Sequence, residues 1–271
     1  MIFKVTKYHQ DLLKDLERLR AFFEAINEAY LKNKTKYDDN FNIAYDLGCG
    51  SGILSYYTCK VAKRVISIDK DLSIIKKAEC NLKECKNVEI INTDILKYEF
   101  KDKADLIICE ALDTGMIDEE QALIVNHALK YLMPNGTIIP SGIINIAEPT
   151  STNKHLDHIC YDEENNLNQE NRISYKVLGS FINFNEVDFY KKIDLKFKTK
   201  LNFKINVDGI LNSIKITTFT KLTEDVICGP TPMLNPPLLI PIKKKHVKKD
   251  DEVEIYLEYE LGGGIETINV Y

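Results

Sequence analysis

The stretch Ala44-Tyr45-Asp46-Leu47-Gly48-Cys49-Gly50-Ser51-Gly52 decides the fold. It reads as a buried strand whose last residues are Tyr45 and Leu47, then a glycine turn, then a helix opening near Ile53. Glycine has no Cβ, so such a turn lets backbone approach a ligand closely. The first amides of the helix lack intrahelical acceptors and can face that ligand. The spacing is Gly-x-Gly-x-Gly, and Ile53 stands where a dinucleotide-binding turn needs Gly or Ala. A glycine turn alone is equally compatible with an ordinary tight turn, so its meaning rests on what surrounds it.

Upstream, residues 8–32 read as one amphipathic helix, with Leu12, Leu13, Leu16, Leu19, Phe23 and Ile26 at three- and four-residue steps. Asp38-Asp39-Asn40 ends it. Downstream, helix and strand alternate. Helices are expected at 54–62, 72–85 and 120–133, and strands at 64–69, 88–91, 104–109 and 137–139. Pro134-Asn135-Gly136 reads as a turn before the last strand. The run Ala104 to Cys109 is continuously apolar, as in a sheet covered on both faces. The pattern is that of a doubly wound, Rossmann-like α/β domain with a mainly parallel sheet. Beyond Pro140 the period becomes two. Ile193, Leu195, Phe197, Leu201, Phe203, Ile205 and Val207 alternate with polar residues, Asp208-Gly209 signals a hairpin, and Val253 to Leu261 alternate again. The expected organisation is an N-terminal helix over 1–40, an α/β domain over 41–140 and an antiparallel, barrel-like β domain over 141–271. The polar stretch 151–171 is expected to be a loop or short arm.

Composition sets limits. Of 271 residues 28% are charged and 44% hydrophobic, as in an ordinary globular protein. No apolar run approaches the roughly 20 residues that span a bilayer, and Met1-Ile2-Phe3-Lys4 opens no signal peptide. The expected location is cytoplasmic, with no membrane partner. A net charge of −5 argues against a protein that coats nucleic acid. The basic run Lys243-Lys244-Lys245 with Lys248-Lys249 reads as a solvated hairpin end. The seven cysteines read as reduced thiols. Cys80 with Cys85, and His155 with His158 and Cys160, lack the further ligands of a metal site, so no metal is assigned.

The chemistry sits at the strand ends. Asp69 closes the second strand and can accept hydrogen bonds from both ribose hydroxyls of a nucleoside. Asp94 closes the third and can hold an adenine amino group, with the Ile95 backbone at the ring edge. Asp46 either orders the turn or holds an ammonium group. Glu110 and Glu119 flank the loop after the fourth strand, Glu110-Ala111-Leu112-Asp113-Thr114-Gly115-Met116-Ile117-Asp118-Glu119. Folded back, that loop can aim both carboxylates at one cation, and a planar guanidinium suits such a pair. The alternative is that Glu119 and Glu120 only favour the start of the next helix through its dipole.

The glycine stretch resembles motif I of class I S-adenosylmethionine (SAM) methyltransferases. The loop after the fourth strand resembles the double-glutamate loop of protein arginine methyltransferases, closest to their monomethylating, type III branch. His9-Gln10-Asp11-Leu12-Leu13-Lys14-Asp15-Leu16-Glu17-Arg18 resembles that family's cofactor-covering helix, and Ile139-Pro140 its junction into a β-barrel. The resemblance implies SAM as cofactor, held by Arg18 at the methionine carboxylate, by Asp46, Gly48, Gly50 and Gly52 at the turn, and by Asp69, Asp94 and Ile95 at the nucleoside. It implies Glu110 and Glu119 as catalytic groups, holding an arginine-like side chain of a protein or peptide. There are departures. Where the family has a Thr-His-Trp loop, this chain has Pro232-Met233-Leu234-Asn235-Pro236-Pro237-Leu238, with no His or Trp. The aromatic N-terminal segment and the helical dimerisation arm have no clear counterpart, which leaves oligomeric state open. RNA methylation and small-molecule or cofactor-biosynthesis methylation stand as the alternative functions.

Overall fold

The structure is a computed structural model that describes residues 3–37, 39–154, 156, 158–161 and 173–271. His155, of the metal alternative, and most of the 151–171 stretch expected as a loop or short arm lie outside the described residues.

Two helices open the chain, α1 (Lys7–Lys14) and α2 (Leu16–Tyr37), in place of the single helix expected from its periodicity. The break is at Asp15, whose side chain accepts the Arg18 amide at 3.1 Å and so caps the second helix. An α/β alternation follows: β1 (Phe41–Leu47), α3 (Ile53–Thr58), β2 (Ala62–Asp69), α4 (Leu72–Asn81), β3 (Val88–Asn92), β4 (Ala104–Cys109), α5 (Gln121–Ala128) and β5 (Leu132–Ile139). The five strands form one sheet in the order β3-β2-β1-β4-β5, every pair parallel. β1 is central, with β2 on one side and β4 on the other, so its carboxyl end is the topological switch point where ligands bind in open α/β sheets.

Element ends differ from the sequence expectation for local reasons. α4 stops at Asn81, not Cys85, with Leu82 leaving the helical conformation as its C-cap; the Asn81 side-chain amide donates to Lys4 O and Ser51 O, both at 2.9 Å. Pro134-Asn135-Gly136 is not a turn before β5 but lies within it. Ala104 pairs with Leu132 and Leu106 with Thr137, so the strand bulges over 133–136. Gly136 permits this, since a Cβ there would sit 3.1 Å from the carbonyl oxygens of Ala104 and Asp105.

The rest of the described chain is antiparallel. Its strands are β6 (Gly142–Thr152), β7 (Cys160–Tyr161), β8 (Tyr175–Val177), β9 (Ile182–Asp188), β10 (Lys196–Lys204), β11 (Gly209–Lys221), β12 (Ile227–Cys228), β13 (Leu238–Val247), β14 (Glu252–Glu260) and β15 (Asn269–Val270). A seven-stranded sheet runs β7-β13-β11-β6-β8, with β12 added on β11 and β9 on β6, and a three-stranded one runs β10-β14-β15. The hairpin expected at Asp208-Gly209 is not formed. β10 pairs with β14 and β11 with β13, so a two-stranded ribbon bends from one sheet into the other there. The amide of Ile205 donates to Asp251 O, and that of Asp250 donates to Ile205 O, holding the corner. Lys248 and Lys249 lie at this corner, and Lys243 to Lys245 on the exposed part of β13. The apolar interior is one contiguous core, from Phe22 and Tyr45 through Ile107 and Ile143 to Leu257.

Candidate active site

A cleft opens at the carboxyl end of β1, between the parallel sheet, α1 and the loop after β4. Eight of the ten residues singled out from sequence line it: Arg18, Gly48, Gly50, Asp69, Asp94, Ile95, Glu110 and Glu119. Asp46 and Gly52 stand behind it. Asp46 is buried, and its carboxylate accepts from Ser55 Oγ, which lies 2.7 Å from Ser67 Oγ. Burial pushes its pKa up to about 7, against the opposing Ser55 hydrogen bond. These contacts order the turn from beneath. Gly52, at φ 85°, lets α3 pack on the end of α4, because a Cβ there would lie 2.7 Å from Leu82.

The turn is tied to β2. The amides of Gly48 and Cys49 donate to Ile68 O at 2.9 and 3.1 Å, and Gly50 N donates to the Asp69 carboxylate at 2.9 Å. Asp69 also accepts the Asp71 amide at 2.9 Å. Asp94 accepts the Leu96 amide at 3.0 Å, and this bond, with Lys97 beside it, holds its carboxyl below the usual range.

The helix α1 closes the cleft from above. Thr6 caps it and bonds His9 Nδ1 at 2.7 Å, which turns the imidazole over the glycine turn. A Cβ on Gly50 would meet that ring at 3.1 Å. Burial lowers the His9 pKa, partly offset by Asp69 and Asp71, so the ring over the turn is held toward its neutral form. Arg18 follows on α2. It is buried, its Nη2 donates to Glu110 Oε2, and its Nε and Nη1 have no partner among the described residues. Buried guanidinium donors without acceptors are costly, and a carboxylate entering the cleft would satisfy them.

The second wall is the loop between Glu110 and Glu119. Gln121 clamps its base, accepting from Ala111 N at 2.9 Å and donating to Cys109 O at 3.0 Å. Burial raises the Glu119 pKa, and the charge of Glu110 raises it further. The phenol of Tyr8 is raised by burial first and then by both glutamates, which places it near them. Glu110, paired with Arg18, and Glu119 thus bring two carboxylates to the cleft that the turn lines.

The antiparallel part contributes Met233, on the loop that replaces the Thr-His-Trp of the resembled family. Asp15 accepts from Thr231 Oγ1 and from Met233 N, the latter at 3.0 Å, and Thr114 Oγ1 donates to Pro236 O at 2.6 Å. The break between α1 and α2 thus also anchors this loop. Asn81 and Gln121 carried no sequence signal, since each acts through a partner distant in the chain, while Asp15 and Met233 lay in stretches the resemblance marked without a role of their own. His9 had a signal, its place ahead of the leucine pattern of the first helix.

A family model described as ribosomal protein L11 methyltransferase (PrmA) matches residues 26–174. An uncharacterized protein of Methanothermobacter thermautotrophicus is 42% identical over 268 residues, covering 99% of this chain and 98% of that one. Protein arginine N-methyltransferase 1 of Chlamydomonas reinhardtii is 36% identical over 140 residues, 49% of this chain and 38% of that protein. Among solved structures, the Trypanosoma brucei PRMT1 enzyme–prozyme heterotetrameric complex with AdoHcy superposes with a TM-score of 0.76 at 16% identity, covering 93% of this chain and 87% of that one. At that identity the likeness shows the fold: a parallel sheet followed by antiparallel sheets.

Proposed function

Because the chain belongs to the class I SAM-dependent methyltransferases, through the PrmA family model that spans 26–174, we propose that it methylates a nitrogen of a cationic protein side chain, arginine foremost. The observation that carries this reading is one cleft lined by Glu119 and by Glu110, the latter held by Arg18 Nη2 while Arg18 Nε and Nη1 stay without partners among the described residues. Burial and then the charge of Glu110 raise the Glu119 pKa, and a cation entering beside the two carboxylates would relieve that repulsion. The names of the relatives point the same way, since both an arginine methyltransferase and a ribosomal-protein methyltransferase act on protein.

In this reading Arg18 Nε and Nη1 bind the methionine carboxylate of SAM, Asp69 binds the ribose, and Asp94 with the Ile95 backbone binds the adenine. Bound there, SAM supplies an electrophilic methyl group. Asp46 and Gly52 keep the turn in shape from behind the cleft, and Asp46 Oδ1 has no partner among the described residues. Glu110 and Glu119 orient the acceptor guanidinium and draw its positive charge toward the nitrogens away from the reacting one. Glu119, whose pKa burial raises, is placed to take the proton the acceptor nitrogen sheds.

The test is incubation of the protein with methyl-labelled SAM and a cell extract. Label that protease releases, and that acid hydrolysis returns as methylarginine, is the expected result. Label released by nuclease would favour RNA methylation and overturn the reading, as would label that never enters a macromolecule.

A further inference from the structure

The proposed acceptor site needs Glu119 beside Glu110, yet the loop between them has irregular backbone. Gly115 and Met116 both have positive φ, 72° and 55°, and only a short 3-10 turn, Thr114–Met116, lies between the glutamates. Several bonds hold the middle of this loop to the antiparallel part. Gly262 N donates to Met116 O and Gly264 N to Ile117 O, both at 2.9 Å, and Gly115 N donates to Thr218 Oγ1 at 2.8 Å. None of these fixes Glu119 itself.

We propose that Asp113 is the positioning residue of the acceptor site, its buried carboxylate gathering three consecutive amides so that the Glu119 side chain stands against the acceptor. Ile117 N and Asp118 N donate to one oxygen at 3.1 and 3.0 Å, and Glu119 N donates to the other at 3.1 Å. Three successive N–H groups turned onto one anion make a concave nest, here filled from within the chain. The carboxylate fixes where Glu119 leaves the backbone, while Gln121 fixes where Glu110 does. The inference rests on the double-glutamate reading.

No cation pairs with Asp113 among the described residues. The groups facing it are Asp118 and Glu119 on its own loop, Tyr259 of β14 and Tyr161 of β7, the last donating to Asp118 Oδ2 at 2.9 Å. Its charge is therefore held by the amides. Burial nonetheless raises its pKa to about 6, so acid removes the anion the nest needs. Asparagine keeps the shape but turns an NH2 group toward at least one of the amides, so it cannot accept all three.

The experiment uses the full-length protein with a synthetic Gly-Arg-Gly repeat peptide and methyl-labelled SAM. Wild type, Asp113→Asn and Asp113→Ser are compared, with SAM affinity measured by calorimetry. The carboxyl carbon of Glu119 is titrated by NMR, assigned through Glu119→Gln. The expected result is a fall in kcat/KM of about 100-fold, the scale of a misplacement of about 1 Å, mostly as a raised peptide KM. SAM affinity stays within about twofold, and the Glu119 carboxyl titrates at lower pH as it moves from Glu110. Kinetics within about twofold of wild type, or SAM affinity weakened in parallel, would overturn the proposal. If wild type does not methylate the peptide, the arginine reading fails separately. The Glu119 titration then decides: moved in the variants supports Asp113, unchanged overturns it.

Discussion

At the scale of the residue, three side chains carry separable expectations. Glu110→Gln keeps shape and removes charge, so kcat/KM for a cationic acceptor falls by at least about 100-fold, the effect of deleting one preorganised electrostatic contact. A variant within tenfold of wild type in the labelled-SAM assay would exclude the role. Arg18→Ala removes the two orphaned donors, so the SAM Kd rises about 10- to 100-fold by calorimetry. Asp46 concerns stability. Its folded pKa, about 7, lies above its unfolded value, so the native state binds more protons between pH 4 and 7. Stability from this group is fully present below the unfolded pKa and is lost as pH rises through 7. Asp46→Asn removes that slope and melts higher than wild type at pH 8, measured as Tm against pH.

At the scale of the element, the break between α1 and α2 is where the helical periodicity misleads. The leucine pattern runs through Asp15 without interruption, because a period of 3.6 reports a buried face and not the continuity of the backbone. Asp15 ends α1 because its carboxylate is claimed by Arg18 N, Thr231 Oγ1 and Met233 N. Asp15→Ala removes a helix cap and leaves buried donors unpaired, a loss of about 2–3 kcal/mol by urea denaturation. It also weakens SAM binding, since α1 carries His9 over the turn. Gly52→Ala meets Leu82 and an unfavourable φ of 85°, costing roughly 1–3 kcal/mol, with α3 and not the cofactor as the injured part.

At the scale of the whole molecule, the parallel and antiparallel parts share one core and are joined by long-range bonds through the acceptor-side loop. A single cooperative calorimetric transition is expected, and two resolved transitions would contradict it. The alternation of helix and strand, the change of period at Pro140, the glycine turn and the acidic strand ends were all legible in the residues. Each is a local or periodic property, and a sheet of parallel strands brings the ends of β1, β2 and β4 together by topology alone. The Asp208-Gly209 corner was misread for the converse reason. A turn signal says that the chain bends, not which strands then pair.

The chain by itself determined the cofactor-side cleft, because regular elements carry their end residues to predictable places. Only the tertiary structure decided how the loop after β4 is held. Asn81 reaches Lys4 across 77 positions and Asp15 reaches Met233 across 218, while Gln121 and Asp113 accept the amides of Ala111 and Glu119 respectively. Hydrogen bonds between such distant groups leave no period in the sequence. They form only once the packed core has brought the two ends within 3 Å or so of each other.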